Sequence, residues 1–344
     1  MSLISNINIT NSLISFDLSN KTNEIKISFV NALRRTIISD IYAYAIDEEN
    51  IDFFENTSML NNEFLKHRLT LIPIVSDLQN VNYDNLVISC KKRNDNENME
   101  NIYVNEFICK DIETDEIIDN SRIFMYPNIL FGKLKNNQHM SFESKLIKNN
   151  AEHGGSFFST DSKCVYTFKI DDETVKEVTK SMDEHQVKTF LSQDVERVYE
   201  RNKIGEPNVY NFVIDSIGFY KPSDIVLHGL DSLMNRLTVV KNELRNKKSK
   251  KITLVENIEN PDFYDFSIDG ENETIGNLLS TYMTYNKDVS YCGYLIEHPL
   301  KKNIILRIKL NQSMNNLENN IIMIENTIDY LIDLLNKIRS EIAM

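Results

Sequence analysis

The sequence has 344 residues, of which 41% are hydrophobic and 26% are charged, so it is long enough for two or three globular domains. It carries 38 Lys and Arg residues against 51 Asp and Glu residues, a net charge of −13. This charge argues against non-specific nucleic-acid binding and against a role on anionic membranes, because both depend on clustered basic side chains.

The absence of targeting signals and the spacing of the cysteines indicate an intracellular protein without structural zinc. No apolar run reaches the ~20 residues of a membrane span, and the N-terminus lacks the basic and apolar segments of a signal peptide. None of the cysteines stands in a CxxC pair, so we predict neither a metal site nor a disulfide framework. The four cysteines are Cys90, Cys109, Cys164 and Cys292.

The chain opens with predicted strands. Residues 7–18 and 24–29 alternate apolar and polar positions, which predicts two antiparallel strands joined by the polar turn at 19–23. Further strands are predicted at 43–46 and 51–54.

A helix that runs to about residue 41 has one apolar and one polar face. Its apolar face consists of Val30, Leu33, Ile37 and Ile41. Asn31, Arg34 and Arg35 lie on the other side. They are either solvated surface residues, as charged residues usually are, or contacts for a partner.

A shorter helix over residues 59–69 carries Glu63, His67 and Arg68. One of residues 56–58 is expected to cap it, and Pro73 prevents its continuation. Glu63 and His67 could form an acid–base or metal pair, but HExxH and the GxxxxGK[ST], GxGxxG and GxSxG motifs are all absent. A surface pair is the favoured interpretation, so we expect no active site and no cofactor.

Residues 78–204 differ in composition and hydrophobic pattern from the segments on either side. Strand-like pieces alternate with polar low-complexity runs such as residues 93–98, which predicts an inserted β-rich domain with long loops. Residues 176–200 are charged and predict one or two peripheral helices.

Two long helices carry uninterrupted heptad seams. The first covers residues 223–245, follows a strand at 208–220, and should be capped by Ser223 or Asp224. Its seam is Val226, Leu230, Leu233, Leu237, Val240 and Leu244. The second covers residues 315–342, with the seam Leu317, Ile321, Ile324, Ile328, Leu331, Leu335, Ile338 and Ile342.

The basic run at residues 245–251 separates the two halves of the chain. We interpret it as a solvated linker rather than a nuclear signal or a phosphate contact. Beyond it, strands are predicted at 252–255, 263–268, 289–294 and 304–308, with a helix from residue 271 after the second strand. Both halves therefore have the same predicted order of elements: two strands, a helix, further strands and a long heptad helix. We expect the two seams to pack together as an intramolecular pseudodimer.

Several motifs resemble the alpha-type assembly subunit of multisubunit DNA-directed RNA polymerases, in particular the third subunit of the eukaryotic enzyme. They are NALRR at 31–35, HRLTLIPI at 67–74, GKLK at 132–135 and FYKPSDIVL at 219–227. In the second half, ENETIGNLL at 271–279 and HPL at 298–300 resemble the eleventh subunit. A fusion of these two subunits is similar to chains of large DNA viruses.

The sequence departs from these families in three respects. The four-cysteine zinc loop common in the third subunit is missing, Glu273 stands where the eleventh subunit usually has His, and Thr70 stands where the third usually has Gly. The last two changes affect the contacts implied by the resemblance more than the fold.

The resemblance implies an α+β fold with two alpha-subunit-like dimerisation modules and a β-rich domain inserted in the first. We expect the first module at 1–77 plus 205–246, the insert at 78–204 and the second module at 250–344. The implied function is a non-catalytic scaffold that holds the largest and second-largest polymerase subunits and also contacts small polymerase subunits. A cytoplasmic location, in a viral factory or virion, is favoured over the nucleus.

The resemblance also assigns partner contacts. The first half would face the second-largest subunit through Asn31, Arg34, Arg35, His67 and Arg68. The second half would face the largest subunit through Thr274, Gly276 and Asn277. Two other classes of function stay open: a stand-alone protein-interaction adaptor, and a hydrolase that uses Glu63 and His67.

Overall fold

The computed structural model describes residues 2–79, 81–246, 249–255, 260–298 and 300–343. Part of the basic linker and Pro299 of the HPL motif lie outside these residues. Within them the chain is a mixed α+β protein, as expected. No helix of this described part is long and apolar enough to cross a membrane.

The elements are numbered in chain order. The strands are β1 (Ile4–Ile9), β2 (Leu13–Ser19), β3 (Ala43–Asn56), β4 (Leu86–Asn94), β5 (Glu100–Tyr103), β6 (Ile108–Asp111), β7 (Ile117–Ile118), β8 (Leu130–Leu134), β9 (Gln138–Asn149), β10 (Asp161–Phe168), β11 (Val209–Ser216), β12 (Ile252–Val255), β13 (Tyr264–Asp269), β14 (Val289–Leu295) and β15 (Asn303–Leu310). The α-helices are α1 (Ile27–Ser39), α2 (Asn62–Thr70), α3 (Asn120–Ile123), α4 (Ala151–Gly154), α5 (Asp172–Thr179), α6 (Glu184–Gln193), α7 (Pro222–Leu244), α8 (Glu273–Thr284) and α9 (Leu317–Ile342).

Two four-stranded antiparallel sheets have the same topology. One has the strand order β1-β2-β11-β10 and the other β12-β13-β15-β14. In each sheet a helix, α1 or α8, follows the second strand, and a long helix, α7 or α9, follows the last. The predicted fold class, with two similar modules in one chain, is confirmed.

The inserted domain has its own core around the five-stranded sheet β3-β9-β4-β6-β7 and the pair β5-β8. Its limits differ from the predicted 78–204. Strand β3 pairs with β9, and α2 buries Leu65 and Leu69 in the insert core, so the insert begins near residue 43. Strand β10 pairs with β11 of the first sheet and therefore belongs to the first module. Strand partners that are distant in sequence decide these boundaries, and local composition does not reveal them.

The strand predicted at 24–29 is wrong, because α1 begins at Ile27. Ile25 and Phe29 are buried while Ile27 between them is 50% exposed, so an apparent two-residue alternation is a four-residue spacing. The segment 7–18 is instead part of the hairpin β1–β2, closed by a hydrogen bond from the Thr10 N–H to the Leu13 carbonyl.

Three smaller predictions also need correction. The strands expected at 43–46 and 51–54 are one strand, β3, with a register shift between Ile46 and Ile51. Helix α2 is capped by Asn61, whose side chain accepts from the Phe64 N–H, and not by residues 56–58. Helix α7 begins at Pro222 with Lys221 as its N-cap, because proline is favoured at the first helical position.

One apolar core runs through both modules, and α7 packs antiparallel on α9 at its centre. Three of the ion pairs between these helices fix their register. They are Asp231–Arg339 (2.7 Å), Lys241–Asp329 (2.5 Å) and Arg245–Glu325 (2.6 Å). Each step forward along α7 is matched by an equal step backward along α9, as two straight antiparallel helices require.

The predicted seams correspond to buried positions with two exceptions. All six positions of the α7 seam are buried, as are the α9 positions from Ile324 to Ile338. Leu317 is 39% exposed and Ile321 is half-buried. Helix α7 ends at Leu244, and the following Arg245 lies opposite Glu325, so the first turns of α9 extend beyond the partner helix.

Replacing Leu331 with lysine should destabilise both modules together, by about 3 kcal/mol or more, because an unpaired charge would enter the shared core. Leu331 is fully buried, whereas Asp333 two positions further on is exposed, so Asp333→Lys is the matched control. The sequence contains no tryptophan. The half-buried Phe168 and Phe263 can therefore be replaced singly by tryptophan to report denaturant unfolding of each module.

Leu233→Lys in α7, with the exposed Asn235→Lys as control, should behave in the same way. If Leu331→Lys shifts only the reporter of the second module, the two modules do not share one cooperative core.

Candidate partner-binding surface

Helix α1 turns its polar face outward because its apolar face packs on α7. At the crossing, a Cβ placed on Gly229 would lie 2.5 Å from Ile37 Cγ1, so the two backbones approach too closely for a larger residue. Val30, Leu33 and Ile37 are all fully buried. The rotation of α1 is therefore fixed, and with it the position of Asn31, Arg34 and Arg35.

Arg34 is held by its own helix. Its Nε and Nη2 donate to Asn31 Oδ1 at 3.1 and 3.0 Å. It also lies near the start of β10. There the pKa of the Cys164 thiol is raised, because burial and the Asp161 carboxylate outweigh the opposite effect of the Arg34 guanidinium. Burial raises the pKa of Asp161 to about 6.

Arg35 joins the two modules. Its Nε donates to Thr274 Oγ1 at 2.9 Å, and its Nη1 lies 3.9 Å from Glu273 Oε2. Thr274 and Glu273 open α8 of the second module. The residues predicted to face two different subunits therefore meet, through Arg35 and Thr274, on one surface.

A polar cleft of about 140 Å³ lies between α1 and α8. It is lined by Ser28, Asn31, Ala32, Arg35, Glu273, Thr274, Asn277 and Tyr294. Gly276 is buried, and a Cβ there would lie 2.8 Å from Tyr294 Cδ2, so this glycine provides space for the tyrosine and no polar contact.

Sequence reasoning missed Ser28, although the signal was present. Ser28, Asn31 and Arg35 are spaced by three and four residues, which places them on one stripe of α1. Ser28 is only 4% exposed, and its Oγ has no hydrogen-bond partner among the described residues.

His67 and Arg68 belong to the inserted domain, away from the core that positions α1. Helix α2 packs on β3 and β8. Arg68 Nε and Nη2 donate to the carbonyls of Phe131 and Leu130 at 3.0 and 2.6 Å, so this arginine anchors α2 to β8. His67 is exposed, as is Glu63.

Four large apolar side chains on α2 and on the segments next to it in sequence are exposed, and sequence reasoning did not single them out. They are 56–71% exposed: Phe54, Met59, Phe64 and Leu71. Exposed large apolar side chains are a common component of protein interfaces.

A buried ion network also links the two modules. Arg236 of α7 donates to Asp40 Oδ2 at 2.6 Å, to Glu271 Oε2 at 2.7 Å and to Asn272 Oδ1 at 3.1 Å. The side chains of Arg236, Asp40 and Glu271 are 17%, 6% and 3% exposed. Burial would lower the pKa of Arg236, but Glu271 and Asp40 outweigh it and the pKa is raised.

The cysteines are free thiols. Burial raises the pKa of Cys90 to about 11 and those of Cys109 and Cys292 to about 12. In the described ranges, no three His, Cys, Asp or Glu side chains are grouped to hold a metal ion.

Two family comparisons match this chain. The RNA polymerase Rpb3/Rpb11 dimerisation domain matches residues 21–237, and a second form of the same domain matches residues 264–341. The chain belongs to the RNA polymerase Rpb3/Rpb11 dimerisation-domain family. The predicted resemblance to a fused alpha-like subunit is confirmed, because both halves carry the domain.

Individual proteins with similar sequences are also RNA polymerase subunits by name. The chain is 37% identical to DNA-directed RNA polymerase II subunit rpb11 of Dictyostelium discoideum over 70 residues, which are 20% of this chain and 58% of that protein. It is 40% identical to DNA-directed RNA polymerase subunit Rpo3 of Pyrococcus furiosus over 62 residues, which are 18% of this chain and 23% of that protein. It is 24% identical to rpb3 of Dictyostelium discoideum over 290 residues, or 69% of this chain and 92% of that protein.

These alignments span less than two thirds of rpb11 and of Rpo3. The relatives are named as polymerase subunits, which agrees with the prediction that this chain is a subunit and not an enzyme by itself.

Arg236→Met should reduce the free energy of unfolding by about 3 kcal/mol, because Asp40 would be left buried without its cation and Glu271 would keep only Lys251, whose Nζ lies 3.4 Å from its Oε1. Arg339→Met is the control. It removes another ion pair between the modules, Asp231–Arg339, but both of those side chains are nearly half exposed, and such pairs contribute little.

Denaturant unfolding at neutral pH measures both variants. An Arg236→Met loss no larger than that of Arg339→Met would contradict the structural role of the network.

Proposed function

We propose that this chain is the assembly scaffold of a DNA-directed RNA polymerase, a non-catalytic subunit that holds the largest and second-largest subunits together. The observation that carries the proposal is the single apolar core shared by two modules of the Rpb3/Rpb11 dimerisation family. A dimerisation domain whose partner domain is already in the same chain is a preassembled platform. Its remaining exposed surfaces are available for other subunits.

Two surfaces suit such partners. Arg35 lines the polar cleft and Arg34 lies beside it on Asn31. Arginine is favoured at protein interfaces because its planar guanidinium makes several directed hydrogen bonds. The exposed apolar side chains on and next to α2 offer a second contact on the inserted domain. Small polymerase subunits are additional partners implied by the family, and the cytoplasmic location stays a prediction.

The alternatives have less support. A hydrolase that uses Glu63 and His67 requires these groups to converge with others, yet both are exposed on α2 and no hydrogen bond or ion pair joins them among the described contacts. A stand-alone adaptor fits the exposed surfaces equally well but gives no reason for two polymerase dimerisation modules in one chain.

A tagged full-length chain, purified from its native cells and analysed by mass spectrometry, distinguishes these functions. The scaffold predicts recovery of both large polymerase subunits in stoichiometric amounts. Recovery of other proteins without them would support the adaptor and reject the scaffold.

Arg34→Ala should weaken incorporation into the polymerase several-fold with little change in thermal stability. Arg34 bonds only to Asn31 of its own helix among the described side-chain hydrogen bonds, so its loss leaves the contacts between modules intact. Co-purification and thermal melting measure the two effects separately.

Arg35→Ala is the informative comparison, because it also removes the Thr274 hydrogen bond between modules and should reduce both stability and incorporation. A large stability loss in Arg34→Ala with normal incorporation would show that Arg34 is structural.

A further inference from the structure

We infer that the polar cleft between α1 and α8 receives an acidic side chain from a loop of one large polymerase subunit, which thereby contacts both modules at once. This inference rests on the proposed function and deepens it. It replaces the expectation that each module faces a different subunit at this position.

The cleft is built jointly by the two modules. Helix α1 supplies Ser28, Asn31 and Arg35, and α8 supplies Thr274 and Asn277. Its volume of about 140 Å³ is well below the ~300–1,000 Å³ of small-molecule sites, so it suits an inserted side chain and not a cofactor. An occupant of so small a space must contact both walls.

The free hydrogen-bonding groups of the cleft are mainly donors. The Oδ1 atoms of Asn31 and Asn277 already accept from Arg34 and from Thr281 Oγ1. Their Nδ2 groups have no described partner, and the Ser28 hydroxyl, which is 96% buried, is also unpartnered among the described residues. Buried polar groups are normally paired, so the cleft is incomplete without an acceptor.

Charge selects the kind of acceptor. Arg35 lines the cleft, and Arg34 adjoins it because its guanidinium donates to the lining residue Asn31. These two positive charges stand against one carboxylate in the lining, at Glu273. This local excess stands out on a chain with a net charge of −13. A carboxylate accepts from several donors and gains charge-assisted hydrogen bonds from arginine, so Asp or Glu fits better than a neutral amide.

The cleft is also preorganised. The Thr274 hydroxyl fixes Arg35, and Asn31 fixes Arg34, so little side-chain freedom is lost when a partner binds. Because the covalent fusion keeps α1 beside α8, the complete cleft is present in every folded molecule. Binding there would make incorporation depend on correct pairing of the modules.

Photo-crosslinking tests whether one subunit contacts both walls. A crosslinking amino acid would be placed at Ile27 in one sample and at Glu273 in another. Ile27 is one turn before Asn31 and 50% exposed, and the Glu273 side chain is 58% exposed. In the complex reconstituted with the two large subunits, both positions should crosslink to the same subunit and to the same loop. Crosslinks from Ile27 and Glu273 to different subunits would overturn the inference.

Asn277→Asp tests the charge of the occupant with almost no change in shape. A carboxylate at this position should repel an acidic side chain and weaken binding of the large subunits at least ten-fold, while thermal stability stays close to that of the original chain. Asn235→Asp is the control, since it makes the same change at an exposed position of α7. Unchanged or tighter binding by Asn277→Asp would reject an acidic occupant.

The two levels of the proposal fail differently. If the original chain does not bind the large subunits, the scaffold function is wrong. If it binds them and Asn277→Asp binds equally well, the scaffold stands and only the cleft assignment is wrong.

Discussion

The antiparallel packing of α7 on α9 is the contact on which the rest of the structure depends. Each helix closes one four-stranded sheet, and the apolar residues that cover the sheet also cover the other helix. Burial of a Leu or Ile side chain stabilises by about 1.5–3 kcal/mol, so a seam of this length outweighs any single polar contact in the molecule. Neither module can keep its long helix covered without the other.

Polar contacts at the edges of this core set geometry. The three α7–α9 ion pairs fix the register, and Arg236 holds the end of α1 against the start of α8. At the far end of the chain, Glu341 of α9 accepts from the backbone N–H groups of Leu3 and Ile4 at 3.1 and 2.7 Å, which ties the last helix to the first strand. These contacts bring residues 31–35 and 273–277, which are far apart in sequence, to one surface.

The sequence reveals those features that depend on local periodicity. The heptad seams, the repeated order of elements and the polar face of α1 are all visible because helical spacing is a short-range signal. The limits of the insert are not visible in this way, because the strands that pair with β3 and β10 lie about a hundred and about fifty residues away in sequence. The bridge from Arg35 to Thr274 and the ion network of Arg236 depend on how the modules pack, so no single motif predicts them.

Fusion makes the pairing of the two dimerisation modules intramolecular, and we expect the packing of α7 on α9 to hold them together once the connection is cut. A protease site inserted between residues 246 and 249 tests this claim, after cleavage of the folded protein and native mass spectrometry of the products. Tight packing of α7 on α9 predicts that the two fragments stay together as a one-to-one complex at micromolar concentration. Separation into individual fragments under native conditions would contradict the shared core.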